Sequence, residues 1–245
     1  MTTVLPPAGF RGENGYSLDV QNVSGSHGPL EETLSIDRRS HRLTDDAIQV
    51  PGRWLTVSPY LERDHQLDLE SIDTPNRLLA LALRQLQPAT TEYAKVRYDE
   101  ALDWRNIMST LRILVATEGY RWTRHSFYVV EFRSKLKQNV DVDLLFKLDK
   151  ESHVEATKSG GLLKYWYGTP DTERRNLATC LWRSRDDAIN GGLGPWHKQA
   201  RAAIVQMYEE IDVKGLRLTI DDDVSSWSFG PYSESRSEHS GGAQS

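Results

Sequence analysis

Glu131 and Arg133 stand two residues apart in the run Ser126 to Lys135, where Tyr128, Val130 and Phe132 alternate with Phe127, Val129, Glu131 and Arg133. That period of two predicts a strand, and it puts the carboxylate and the guanidinium on one face. So placed, they could orient a phenol or a carboxylate, and one could tune the other's pKa. A plain solvated sheet face has the same pattern. His197, directly after Trp196, is the third candidate: a lone histidine serves either as a general base or as a structural residue. Trp182 and Trp166 are suited to lining an aromatic ligand's cavity or to filling a core. Tyr165 and Arg217 complete the ligand-contacting set.

Other chemistries lack support. His27, His41, His65, His125, His153 and His239 show no metal-ligand spacing and no cysteine pair joins them, so no metal is expected. There is no Walker loop, no GxGxxG after a strand and no GxSxG elbow, so neither a nucleotide cofactor nor a serine nucleophile is indicated. The 245 residues carry a formal net charge of −5, and the pair Arg174-Arg175 is too short to form a polybasic patch, which argues against nucleic acid as a partner. Cys180 is the single cysteine; it excludes an intrachain disulfide and fits a reducing compartment, buried among apolar strand residues. No apolar run approaches the roughly 20 residues of a membrane-spanning helix. The first residues form no apolar signal core, so a cytoplasmic protein is expected.

The elements that would position these residues can be read along the chain. Residues 1–50 and 231–245 are rich in Gly, Ser and charge and are expected to be disordered tails. Residues 53–124 should hold a strand near Leu67 to Ile72 and two helices. One opens at Thr74-Pro75, and one runs from about Asp99 to Thr117 with Trp104, Ile107, Met108, Leu111, Leu114 and Val115 on one stripe. From 125 to 222 the order is strand, helix, strand, strand, helix, strand. The first helix spans about 141–158 and stops at Gly160-Gly161. The aromatic strand Leu162 to Gly168 follows, then Asn176 to Trp182. Ser184, backed by Asp186 and Asp187, caps the next helix, interrupted near Gly191-Gly192 and Gly194-Pro195 and continuing to about Ile211. The last strand is Gly215 to Asp221.

This βαββαβ order predicts an α+β fold: a ferredoxin-like antiparallel sheet with both helices on one face and an N-terminal helical extension. The segment Ser159-Gly160-Gly161-Leu162-Leu163-Lys164-Tyr165 and the strand ending Trp182-Arg183-Ser184 resemble the dimeric α+β barrel superfamily. That superfamily includes antibiotic-biosynthesis monooxygenases, haem-degrading enzymes and polyketide cyclases. The whole chain, with its N-terminal helices and GPWHKQAR helix, also resembles a family of uncharacterised fungal proteins. The superfamily resemblance implies a pocket on the sheet face away from the helices, usually closed by a second subunit, so a homodimer is one expectation. Tyr128, Val130, Phe132, Leu216, Leu218 and Ile220 would then face the helices, leaving Glu131, Arg133, Arg217 and Thr219 opposite. Haem is disfavoured, because Arg201 occupies the position of the family's histidine ligand, four residues after His197; no cofactor is expected.

Two functions follow from the resemblance. One is a cofactor-independent oxygenase, cyclase or isomerase acting on an aromatic or polyketide-like small molecule, as in fungal secondary metabolism, with His197, Arg133 and Glu131 as its catalytic groups. The other is a non-catalytic module that binds a metabolite or a protein. An enclosed cavity lined by Glu131 and Arg133 would favour the enzyme; a cavity plugged by the helix at 99–117 would favour the binder. In either case truncating His197 or Arg133 should change stability by only about 0.5 kcal/mol.

Overall fold

A computed structural model describes residues 52–233; the two expected tails lie outside the described residues except for residues 231–233. A small hairpin pairs β1 (Trp54–Thr56) with β2 (Gln66–Asp68). Helices α1 (Thr74–Ala82), α2 (Tyr98–Ala101) and α3 (Trp104–Thr117) follow. Then come β3 (His125–Leu136), α4 (Val142–Lys158), β4 (Leu162–Tyr167), β5 (Arg175–Trp182), α5 (Arg185–Gly191), α6 (Pro195–Met207), β6 (Tyr208–Ile220) and β7 (Trp227–Pro231). The main sheet has five antiparallel strands in the order β4-β5-β3-β6-β7.

Local signals account for most of these boundaries. Asp141 accepts from the Leu144 amide at 2.9 Å and Ser184 from the Asp187 amide at 3.1 Å, so each caps the helix that follows. Helix α4 ends where Gly160 and Gly161 adopt φ of +76° and +79°. At Gly161 a Cβ would also lie 2.6 Å from the Asp187 carboxyl carbon, whereas at Gly160 it would meet nothing within 4 Å. Gly160→Ala should therefore cost only the left-handed backbone strain, about 1 kcal/mol, and Gly161→Ala about 2 to 3 kcal/mol. Equal midpoints for the two variants in urea unfolding would refute this steric account.

The pairing register corrects the expected faces. Tyr128, Val130 and Phe132 stand opposite Arg217, Gly215 and Val213, whereas Leu218, Leu216 and Lys214 oppose Phe127, Val129 and Glu131. Leu216, Leu218 and Ile220 thus lie on the same face as Glu131 and Arg133, and Arg217 and Thr219 lie on the face of α4 and α5. Period two sorts residues within one strand, but only register says which set faces which layer.

Both sheet faces are covered. On one, Val130, Phe132, Ala178, Cys180 and Trp182 pack with Ala156 of α4 and Ala188 of α5. On the other, Phe127, Val129, Leu177, Leu181, Leu218 and Ile220 share a core with Leu78 and Leu79 of α1 and with Trp104, Ile107, Met108 and Leu111 of α3. The face expected to be polar is therefore mostly apolar and filled by the chain's own 53–124 segment.

Two further differences have physical causes. The expected helix through Ile211 ends at Met207, and Tyr208 to Ile211 extend β6. Glu209 pairs with Lys135 and Arg174, both at 2.7 Å, and Glu210 with Arg175 at 2.8 Å, so tertiary ion pairs and ladder bonds override a weak helical period. Strand β7 was not anticipated, because Gly230 and Pro231 weaken its signal; it sits at the sheet's edge, where proline is tolerated.

Candidate functional site

Polar chemistry collects in two places, on opposite sides of the sheet. On the side of α1–α3, a groove of about 470 Å³ runs between the loop before α2 and strands β3, β6 and β7. Glu131, only 6% exposed, accepts from Arg133 Nε at 2.6 Å. The remaining nitrogens of Arg133 donate to the carbonyls of Ala94 at 2.7 Å and Val96 at 2.5 Å. Arg133 therefore clamps the loop that carries Lys95, Arg97 and Tyr98 against the sheet. Tyr98 donates to Thr179 Oγ1 at 2.7 Å, since Thr179 uses its own proton on the Val130 carbonyl. Burial holds the Tyr98 phenol above its ordinary pKa. Leu216 and the Phe229 ring, 5.2 Å from that of Tyr98, give the groove an apolar wall.

Cations outnumber carboxylates among the residues that line this groove. Lys95, Arg97, Arg133 and Lys214 line it against two carboxylates, Asp99 and Glu131. Lys95 pairs with Glu173 at 2.9 Å, Arg97 with Asp99 at 2.7 Å and Lys214 with Asp212 at 2.7 Å. All three pairs are exposed, a setting in which ion pairs are weak and readily exchanged.

On the other side, α4 carries Asp149, Ser152, His153 and Ala156 at helical spacing on its buried stripe. Asp149 accepts from the hydroxyls of both Tyr60 and Tyr165. Burial lifts the Asp149 carboxyl to about 7 although both hydrogen bonds oppose the rise. Nδ1 of His153 meets Nδ1 of His65 at 2.9 Å, so exactly one of the two nitrogens carries the shared proton. Burial, with His65 and His197 adding to it, depresses His153 to about 3, and both imidazoles are neutral near pH 7.

Next to them Glu155 receives the amides of Trp196 at 2.8 Å and His197 at 3.0 Å, and His197 Nδ1 at 2.8 Å. This carboxylate caps the N-terminus of α6, where it also complements the helix dipole. Burial would raise its pKa, but the two amides and the imidazole hold it below the usual carboxylate range. Gly194 is required here, because a Cβ would lie 2.1 Å from the Glu155 carboxyl carbon. The Gly-Pro-Trp-His run is thus a docking sequence for Glu155.

The structure brings Glu131 and Arg133 together but leaves the other candidates elsewhere. His197 lies beyond the sheet, 1% exposed and committed to Glu155. Tyr165 is tied to Asp149 on that same side. Trp182 is fully buried, 2.6 Å from where a Cβ on Gly191 would stand. Trp166 packs edge-on against Tyr93 at 5.6 Å, and Arg217 lies over Tyr232 and donates to the Ser233 carbonyl at 2.6 Å. Sequence reading missed Tyr60, His65, Asp149 and His153, although polar residues at i, i+3 and i+4 on an otherwise apolar helix stripe were a legible signal.

His197 therefore does not occupy the polar position assigned to it from sequence. His197→Ala should lose about 2 to 4 kcal/mol, by leaving the Glu155 carboxylate short of a partner and opening a buried gap. A denaturation midpoint equal to that of the unsubstituted chain would contradict this.

No helix among the described residues is long and apolar enough to cross a membrane. A solved structure from Nitrosomonas europaea carrying the name antibiotic biosynthesis monooxygenase is similar to 39% of this chain and 90% of its own, at 15% identity and a TM-score of 0.33. The UPF0643 protein PB2B2.08 of Schizosaccharomyces pombe (strain 972 / ATCC 24843) is 34% identical over 211 residues, 82% of this chain and 94% of its own length. A family model described as PB2B2.08-like matches residues 56–231, which include both polar regions described above. The chain belongs to the PB2B2.08-like family.

Proposed function

We propose that this protein is a non-catalytic module that binds a small anionic molecule with an apolar body in the groove between the 95–99 loop and strands β3, β6 and β7. The observation that carries this reading is the meeting of exposed, ion-paired cations with an apolar wall: Lys95, Arg97 and Lys214 surround Tyr98, Leu216 and Phe229. A carboxylate or phosphate would exchange with the exposed ion pairs while its body packs on the rings. The enzyme reading has less support, since Glu131 is committed to Arg133 and the Tyr98 hydroxyl to Thr179. Helix α3 packs on the same sheet face, which supports a site built from one chain. The order β4-β5-β3-β6 supports a ferredoxin-like layout with β7 added at one edge.

Phenyl phosphate serves as a probe for this chemistry. Titration calorimetry should give saturable binding, with Kd raised by about 10-fold or more in an Arg97→Ala/Lys214→Ala double variant, equivalent to about 1.4 kcal/mol. An unchanged Kd in that variant, or no binding to the unsubstituted chain, would overturn the proposal.

A further inference from the structure

Between α4, α6, β4 and β5 lies a cavity of about 20 Å³ lined by Ser152, His153, Leu162, Tyr165, Cys180 and His197. Three buried polar atoms at these residues, Ser152 Oγ, His153 Nε2 and His197 Nε2, have no hydrogen-bond partner in the protein. Their residues are 6%, 4% and 1% exposed. A buried polar group without a partner is strongly disfavoured, and three on one small cavity require a common partner.

The surrounding bonds restrict what that partner is. His197 gives its Nδ1 proton to Glu155, which is acceptor-only, so in the neutral ring Nε2 presents a lone pair. An anion is excluded, because it would face that lone pair. A metal ion would have two imidazole nitrogens and a hydroxyl, but both Asp149 oxygens are taken by Tyr60 and Tyr165. Burial also holds the Cys180 thiol protonated. Among the described residues no three His, Cys, Asp or Glu side chains are placed to hold a metal. The volume matches one water molecule and no larger ligand.

We propose that this cavity is a binding site for a single structural water that donates to His197 Nε2 and bridges it to His153 Nε2 and Ser152 Oγ. Water serves either tautomer of His153, because it both donates and accepts. The bridge joins two otherwise separate networks. One runs from Glu155 through His197; the other links His153 to His65 of the N-terminal segment. It thereby ties α6 to α4 and the β1–β2 hairpin.

The test uses the full chain labelled with ¹⁵N and ¹³C at histidine. Long-range ¹H–¹⁵N correlations should show His197 protonated at Nδ1 and bare at Nε2. Rotating-frame cross-relaxation should show a long-lived water beside the ring protons of both His153 and His197. Ser152→Val, whose extra bulk enters the cavity, should lose both water cross-peaks while its backbone spectrum stays folded. Absence of water cross-peaks in the unsubstituted chain would overturn the proposal. So would stoichiometric Zn²⁺ binding that shifts both rings, which would make the site a cation site, or persistence of the cross-peaks in a folded Ser152→Val.

Discussion

Trp104→Ala is expected to cost about 3 to 5 kcal/mol, and to lower the melting temperature by roughly 10 °C in a chain of this size. Trp104 is 2% exposed and packs at the start of α3 between the Tyr98 ring at 5.8 Å and the Phe229 ring at 4.7 Å. It therefore joins α2, α3 and the edge strand β7, and its removal opens a cavity where three elements meet. Since Tyr98 and Phe229 also wall the groove, the variant should lose phenyl phosphate binding along with stability. A small loss of stability, near 0.5 kcal/mol, would mean that the 53–124 segment is not part of one core with the sheet. Thermal unfolding by circular dichroism decides between these outcomes.

Asp149 gives the second large effect, through pH. Its pKa is about 7 in the fold against an ordinary value of 3.8. The folded state thus holds a proton that the unfolded chain releases. A raised folded pKa contributes stability that is fully present below about pH 3.8 and is lost as pH rises through about 7. The whole contribution is on the order of 4 kcal/mol. The buried histidines act in the opposite sense. His153, at about 3 in the fold against 6.5, contributes stability above pH 6.5 that is lost as pH falls toward 3, and the lowered His65 and His197 act in the same direction. Asp149→Asn removes only the carboxyl contribution. The stability of that variant relative to the unsubstituted chain should rise by roughly 2 kcal/mol between pH 5 and pH 7, measured by urea unfolding at each pH. A difference that does not change with pH would show that Asp149 is ionised throughout.

Much of the local structure was legible in the sequence. Ser184 caps its helix as its residue type suggests, and Gly160-Gly161 terminate α4. The strand spanning Glu131 and Arg133 follows its alternation, so their adjacency in space was readable. What escaped depends on distance in the chain. Asp149 and His153 meet Tyr60 and His65 from 89 and 88 residues away, and no local period announces such contacts. The misassigned face of β6 has the same origin, because register against β3 is a tertiary property. His197 looked polar because its residue type is polar; its burial follows from the Glu155 cap, which only the packing of α6 on α4 creates.

The most direct test of the groove as the ligand site is amide chemical-shift mapping of the full chain with phenyl phosphate. The account predicts saturable shifts confined to Lys95 through Asp99, Glu131 through Arg133, Lys214 through Leu216 and Phe229 and Gly230, with none along Asp149 to Glu155 or at His197. Shifts concentrated at Asp149 to Glu155 and His197, with the 95–99 loop unmoved, would contradict it.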